Sequence, residues 1–531
     1  MRLTLHLSVT NARESAARDS AAIATGVPSR ALMQRAGAAA AGEIARLFGD
    51  DLAHGVLVYA GPGNNGGDGW VVARCLAASG VHVHVVPVVE AATDDARAER
   101  ALAQPVIDAA RPAAARVVVD ALLGTGAGGA PRGAIAEAIL DIGRARAAGA
   151  SVVALDLPTG VDADTGHADG AVRADVTLTF GTMKRGLLIA RGNAGRILLL
   201  DIGLPPGDAA TPSLVTPAWV RHTVPPIAAD AHKGVRRKLV IVGGQLGMAG
   251  AAIFAARAAM RAGIGMVRVV VARECVPIVQ AAAPHAIARA WPGERPEDVD
   301  DAIVHWADGV LIGPGLGVSP QSRALVERVL RAWRGPVVVD ADALNVFKGE
   351  AATLGTLLAG RPALLTPHAV ELSRLSGADP QEVLARRFDI GGELARVAHA
   401  AVLLKGVPTV ITGMDGTVLV SAAGTPALAT AGSGDLLGGI AATLLAQTDD
   451  AQAAGACAAW VHGRAAELAA DSNSDLGIAR GLTHRGAHDL APRVTRGITL
   501  GDIERAISLV WSAHVDQPAY PVLAELPALT P

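Results

Sequence analysis

Short runs of valine, isoleucine and leucine recur along this chain, and most of them run straight into glycine or aspartate. GVLVYA (55–60) meets GPGNNGGDG (61–69), RVVV (116–119) meets Asp120, and SVVAL (151–155) meets Asp156. KLVIV (238–242) meets GGQLG, and PVVV (336–339) meets Asp340. Amphipathic stretches such as RALMQRAGAAAAGEIARLF (30–48) and WVVARCLAAS (70–79) lie between or before the runs. β-Branched runs without polar alternation suit strands covered on both faces, and strands separated by helical stretches cross over in parallel. The expected class is α/β, with sites where such sheets place them, at the carboxyl ends of strands.

A chain of 531 residues exceeds one ordinary core. Between about 204 and 230 it reads LPPGDAATPSLVTPAWVRHTVPPIAAD, dense in proline and without apolar period. The expected division is a domain over 1–210, a linker over 211–230, a domain over 231–515 and a tail over 516–531. Strands are expected in the first half at 55–60, 81–88, 116–119, 151–155, 176–180 and 197–200. In the second half they are expected at 238–242, 266–272, 309–312, 336–339, 362–365 and 401–404, with helices over roughly 433–470 and 500–512.

Bulk composition narrows the function classes. A hydrophobic fraction of 51% with 18% charged residues describes a folded chain, and a net charge of −3 gives no global field to recruit nucleic acid. Cys75, Cys275 and Cys457 are too far apart for a disulfide framework or a zinc spacing, which fits a reducing, cytoplasmic setting. No apolar run reaches the ~20 residues a membrane span needs; the longest are broken by Arg257, Arg261 and Arg268. The N-terminal stretch is not a convincing signal peptide.

GPGNNG also satisfies the glycine spacing of a dinucleotide-binding turn, with Glu90 near the expected acidic position. Polarity speaks against that reading: pyrophosphate disfavours a carboxylate, whereas Asn65 and Asp68 offer hard oxygen acceptors suited to a cation or to sugar hydroxyls. Asp120, Asp156 and Thr159 add oxygens at two further strand ends. Each aspartate alone is explained by capping; three beside one glycine loop point to a site.

GPGNNGGDG, VVDALLGTG, LDLPTGVDADTG and TLTFGTMKRGL together resemble the NAD(P)H-hydrate epimerase domain, over about 10–205. That resemblance implies a Rossmann-like three-layer α/β/α domain with a potassium ion held by Asn65, Asp120 and Thr159. Substrate would lie against Asn64, Asn65, Gly66, Gly67 and Asp68 and against the loop Gly124, Thr125, Gly126, Ala127, Gly128, Gly129 and Ala130. Asp156 would act on the hydrated nicotinamide ring. Relatives usually have serine at Thr159, and LMERAG where this chain has LMQRAG with Gln34; the ion site is expected to survive the first change, and a helix contact to register the second.

In the second half, ATAGSGDLLGGIAATLLAQ (429–447) opens a helix from a glycine loop. Free N–H groups and the positive dipole end there suit a phosphate, and Asp435 can cap the helix or take a proton from a hydroxyl facing that phosphate. LIGPGLG (311–317), VVVDADALN (337–345), LLTPHAVELSRL (364–375) and LLKGVPTVI (403–411) supply further strand ends. With HKG (232–234) and VGGQLGMAGAA (242–252), this set resembles the ribokinase-like fold and, within it, the ADP-dependent NAD(P)H-hydrate dehydratases, over about 225–470. By that resemblance ADP binds here, and Mg²⁺ would be the usual charge partner of such a donor: Lys405, Gly406, Val407, Pro408 and Thr409 would hold the nucleotide, with Thr425, Thr430, Ala431, Gly432, Ser433 and Gly434. Ala252, Gly315, His368 and Asp435 would hold the hydrated nicotinamide, with Asp435 as the base. Relatives usually have a glycine shortly before the first strand, where this chain has Arg236–Arg237.

The expectation is a bifunctional enzyme that repairs hydrated NADH and NADPH, acting on small molecules and not on nucleic acid or membranes, in a homo-oligomer. It would interconvert the R and S hydrates and dehydrate the S form with ADP, giving AMP and phosphate. The alternatives are a ribokinase-like vitamin or sugar kinase fused to a non-catalytic nucleotide-binding domain, which would release a stable phosphorylated alcohol, and a dehydrogenase, which would exchange hydride.

Overall fold

The structure, a computed structural model, describes residues 6–208, 210–292, 296–476, 496–512 and 518–529. The chain forms two compact units. The described part of the first lies within Met1–Thr211 and Asp516–Pro531, and the second spans Pro212–Leu476 and Val494–Val515.

In the first unit a seven-stranded sheet runs Val522–Leu526, Arg196–Leu200, Val176–Phe180, Ser151–Leu155, Val117–Ala121, Val56–Ala60, Val83–Pro87. All neighbours are parallel except the first pair. Separate cores cover its two faces, one around Val58, Val119 and Leu178 and one around Leu57, Val118 and Val152. Consecutive residues of one strand thus point into opposite cores, which is why these runs carry no polar alternation. The chain leaves Val56–Ala60 toward one edge and then returns to its other side at Val117–Ala121, so the strand order reverses between these two strands.

The second unit repeats the logic. Its sheet runs Ile287–Ala290, Met266–Val271, Lys238–Val242, Gly309–Ile312, Val337–Val339, Ala363–Leu365, Ala401–Leu404, Thr409–Thr412, Val418–Ser421, Ser213–Leu214. It is parallel as far as Ala401–Leu404, and the next two pairings are antiparallel. Two cores again cover opposite faces, and the order reverses between Lys238–Val242 and Gly309–Ile312.

All twelve expected strands form, within two residues at each end. The helix expected from residue 70 begins earlier, at Asn64, inside the glycine motif. The expected linker is ordered: Ser213–Leu214 pairs with Val418–Ser421, and Thr216 caps a helix over Pro217–Thr223. Pro217 sits in the first turn, where its missing N–H has no partner to lose, while Pro205, Pro206, Pro225 and Pro226 lie in loop on either side. The tail is not free either. Val522–Leu526 adds to the first unit's sheet with Val522 and Ala524 buried. Among the described residues no helix is long and apolar enough to cross a membrane.

Candidate active sites

In the first unit the site builds from three adjacent strand ends at the reversal of strand order. Asn65, Gly66 and Gly67 form the first turn of the helix that follows Val56–Ala60. Glycine is required there because a Cβ at Gly66 would fall 2.0 Å from the Gly61 carbonyl oxygen. Asn65 is buried, and neither its Oδ1 nor its Nδ2 has a hydrogen-bond partner. Gly124 brings the next strand end close: a Cβ on it would lie 3.3 Å from both the Asn65 Cβ and Asp156 Oδ2.

Asp120 is fully buried and accepts from Thr159 N (2.8 Å), Thr159 Oγ1 (2.7 Å) and Leu122 N (3.2 Å). Burial pushes its pKa up to about 6 against those hydrogen bonds. Thr159 Oγ1 also accepts from Leu123 N at 3.1 Å, so the hydroxyl ties the two strand ends together. Asp156 follows Ser151–Leu155 in the left-handed region, at φ 64°. Its Oδ1 meets Lys184 Nζ at 2.6 Å, and its Oδ2 faces Thr125 N at 3.4 Å. Burial holds the Asp68 carboxyl well above the usual range; Asp156 and Asp19 push the same way while Lys184 opposes.

Of the residues expected here, Asn65, Gly66, Gly67, Asp68, Gly124, Thr125, Asp156, Asp120 and Thr159 gather at these strand ends. Asn64 is exposed at the helix start, and Gly126, Gly128, Gly129 and Ala130 are exposed in the loop beyond Thr125, with Ala127 half-buried. Sequence reasoning missed Lys184, Thr179 and Asp19. Lys184 stands in the quoted TLTFGTMKRGL, but a lone lysine is ordinarily solvated, and nothing local announces its burial.

In the second unit Asp435 lies in the first turn of the helix Ser433–Thr448, which Gly432 enters at φ 92°. Asp340, 1% exposed, ends the strand Val337–Val339, and Lys405 follows Ala401–Leu404. Lys405 Nζ lies 3.0 Å from Asp340 Oδ1 and 3.5 Å from Glu371 Oε2. Burial lowers its pKa, but Asp340 and Glu371 more than offset that, so the ammonium is held charged. A Cβ at Gly434 would lie 3.5 Å from Lys405 Nζ, and one at Gly438 would lie 3.3 Å from Asp340 Oδ2. The helix start, the lysine and the buried aspartate therefore converge. Burial, with Asp340 adding and Lys405 opposing, pushes Asp435 up to about 7, where it can both take and give a proton at neutral pH.

His368 is the N-cap of Ala369–Ser376: its Nδ1 accepts from Val370 N and Glu371 N, and Glu371 Oε2 accepts from His368 N at 2.8 Å. Glu371, which sequence reasoning missed, thus ties His368 to Lys405; its signal was the capping-box spacing H-x-x-E. Behind the glycine loop, Ser433 Oγ meets the buried His462 Nε2 at 3.2 Å, and burial holds His462 down to about 4. Gly315 lies in the turn after Gly309–Ile312, and Pro314 O and Gly315 O accept from Gly244 N and Gln245 N. Ala252 is fully buried, its methyl 3.4 Å from where a Cβ on Gly244 would stand, so it shapes that turn. Thr425 is buried as a cap, Pro408 is buried, and Gly406, Val407, Thr430 and Ala431 are exposed. Among the described residues no cluster of three His, Cys, Asp or Glu forms a metal cage.

Residues 29–186 match a family described as "YjeF-related protein N-terminus", and residues 239–481 match one described as "NAD(P)H-hydrate dehydratase". The chain is 37% identical over 477 residues to the bifunctional NAD(P)H-hydrate repair enzyme Nnr of Moorella thermoacetica, covering 84% of this chain and 89% of that one. The enzyme of that name from Escherichia coli is 35% identical over 460 residues, covering 83% and 85%. A crystal structure of an ADP/ATP-dependent NAD(P)H-hydrate dehydratase from Bacillus subtilis, co-crystallized with ATP/Mg²⁺, is 28% identical, covers 56% of this chain and 96% of that one, and superposes with a TM-score of 0.44. With both halves matched and relatives of this identity aligned over most of its length, the chain belongs to the bifunctional NAD(P)H-hydrate repair enzymes, an α/β epimerase domain followed by an α/β dehydratase domain.

Proposed function

We propose that the first unit interconverts the R and S hydrates at C6 of the nicotinamide ring, with Asp156 as its acid–base group, and that the second dehydrates the S hydrate with ADP, with Asp435 as its base. The observation that carries the reading is Asp435, a half-buried carboxyl poised near neutrality at a helix N-terminus beside a buried ammonium. Hydroxide is a poor leaving group, so dehydration gains from phosphorylating the C6 hydroxyl. Asp435 accepts the hydroxyl proton as the oxygen takes the β-phosphoryl group of ADP, leaving AMP. The amides at the start of Ser433–Thr448 and Lys405 face the charge that develops. The N1 lone pair then expels phosphate, and loss of a C5 proton restores the dihydropyridine. A magnesium ion bound with the nucleotide would supply charge neutralisation there. Nucleotide contacts fall to Lys405–Thr409 and Thr425–Gly434, and substrate contacts to Gly315 and His368.

Epimerisation at C6 breaks the C6–N1 bond of the hemiaminal: the C6 hydroxyl proton moves to N1 as the open aldehyde forms, and moves back as N1 re-adds to the other face of the carbonyl. Asp156 accepts and returns that proton. The residues present suit a potassium ion: Asn65 offers an unpartnered buried amide oxygen, and Asp120 and Thr159 keep lone pairs beyond the hydrogen bonds they make. Such an ion would order the glycine turn and offset the carboxylates.

The test is a mixed R/S sample of NADH hydrate given ADP, Mg²⁺ and K⁺, with the returning absorbance of reduced nicotinamide as readout and Asp156→Ala as the control for spontaneous epimerisation. Fast conversion of both epimers is expected, with one phosphate and one AMP per turnover. Conversion of the S epimer alone would reject the epimerase assignment, and a stable phosphorylated product would reject the dehydratase chemistry.

A further inference from the structure

We infer that Lys184 is a positioning residue of the epimerase site: its ammonium fixes one oxygen of Asp156 so that the other faces the substrate loop. The inference rests on the assignment of Asp156 above. Lys184 is 2% exposed, and all three of its donors are engaged, by Asp156 Oδ1 (2.6 Å), Phe180 O (2.8 Å) and Thr179 Oγ1 (3.1 Å). A saturated ammonium of this kind has one orientation. Its main chain is held as well, since Met183–Lys184 pairs with Val9 and Thr10, and Thr182 Oγ1 bonds Thr10 Oγ1 at 2.8 Å.

Asp156 is held from its other side. It sits at φ 64°, a region unfavourable for a non-glycine residue, and its N–H is bonded to Leu178 O at 2.8 Å. Thr179 Oγ1 adds a second donor to Oδ1 at 3.4 Å. Both contacts leave Oδ2 toward Thr125 and Gly124, where the C6 hydroxyl proton would be taken up and returned. Burial raises the pKa of two further carboxyls beside it, Asp68 on the helix Asn64–Ala78 and Asp19 on the helix Ala12–Ala24; the Asp156 carboxylate adds to both shifts and Lys184 opposes both. A surface lysine paired for stability needs none of this; a compact ammonium anchored through Phe180 O and Thr179 Oγ1 to hold one carboxylate oxygen does.

The test uses the full chain, with R-hydrate epimerisation coupled to its own dehydration and the spontaneous rate subtracted. Lys184→Met is expected to lower kcat for the R hydrate about 100-fold, the scale of a misplaced acid–base group, with KM changed less than threefold. Lys184→Arg keeps the charge and is expected to fall between. A Lys184→Met protein with wild-type kcat, or with its whole loss in KM, overturns the inference. Should Lys184→Met fail to fold, Thr179→Val loosens the ammonium while keeping the ion pair: kcat falling about tenfold at constant KM supports the inference, and unchanged kcat overturns it. Wild-type chain that leaves the R hydrate untouched would instead reject the epimerase assignment itself.

Discussion

A histidine that caps a helix through Nδ1 has its tautomer chosen for it. His368 Nδ1 accepts two backbone N–H groups, so Nε2 carries the proton, 3.5 Å from Glu371 Oε1. Protonating Nδ1 would destroy the cap, and burial, aided by Lys405 and Arg374 against Glu371, already lowers its pKa. His368→Asn should therefore keep the cap and the melting temperature while raising KM for the S hydrate, whereas His368→Ala should lose the cap as well, at about 1 kcal/mol in denaturant unfolding. The Gln34 departure has a similar local cause. Its Nε2 donates to Glu99 Oε1 at 2.7 Å, and Glu99 is fully buried against Arg30 and Arg74. Gln34→Glu would set two carboxylates against each other and should destabilise the first unit by about 1–3 kcal/mol, read as a lower urea midpoint. The Gln34 role was not legible in LMQRAG, because Glu99 is brought to it by packing, whereas the His368 cap is local and its spacing stands in the sequence.

At the scale of elements, β-branched runs announced all twelve expected strands, since a doubly covered strand has nowhere to put a polar residue. Short pieces escaped: Leu7–Thr10, Met183–Lys184 and Thr409–Thr412 are too brief to show a period. The helix start at Asn64 escaped because three glycines read as a loop, whereas packing against Gly61, Met33 and Ala121 selects them inside a helix. Arg237, just before the first strand of the second unit, adopts φ 70°, where a glycine would sit without strain. Arg237→Gly should stabilise the chain by about 0.5–1 kcal/mol, the left-handed penalty less the entropy of glycine, measurable by thermal unfolding. Removing 518–531 should do the opposite. It uncovers the apolar edge Arg196–Leu200 and breaks the Arg196–Glu525 pair (2.7 Å), so a lower melting temperature and aggregation on light scattering are expected.

For the whole molecule, each unit places its glycine turn at the reversal of strand order, the position where open α/β sheets bind ligands. Two separately built sites predict separable activities: Asp156→Ala should keep S-hydrate dehydration, and Asp435→Ala should keep epimerisation. The dehydratase should show an acid limb near pH 7 in kcat/KM, because Asp435 works as a base only when ionised. Stability should move the other way. The folded chain holds that proton more tightly than the unfolded one, so Asp435 destabilises progressively as pH rises from about 4 to 7 and fully above it. Asp435→Asn should abolish dehydration and raise the melting temperature at pH 8, by roughly 2–4 °C if it recovers about 1 kcal/mol.

By itself the sequence determined the α/β class, the strand positions, the glycine turns that open both sites and the family whose motifs they carry. These are local properties: burial on both faces writes itself into a run of residues, and a ligand-binding turn writes itself into its glycines. Tertiary structure alone decided which charges meet. Asp156 finds Lys184, Asp340 finds Lys405, and Asp120 finds Thr159 only after strand order has brought distant chain ends to one edge. Asn65 is left without a partner by the same packing. Periodicity reports how deeply a residue is buried, and carries no information about the charge or hydrogen-bonding group it is buried against.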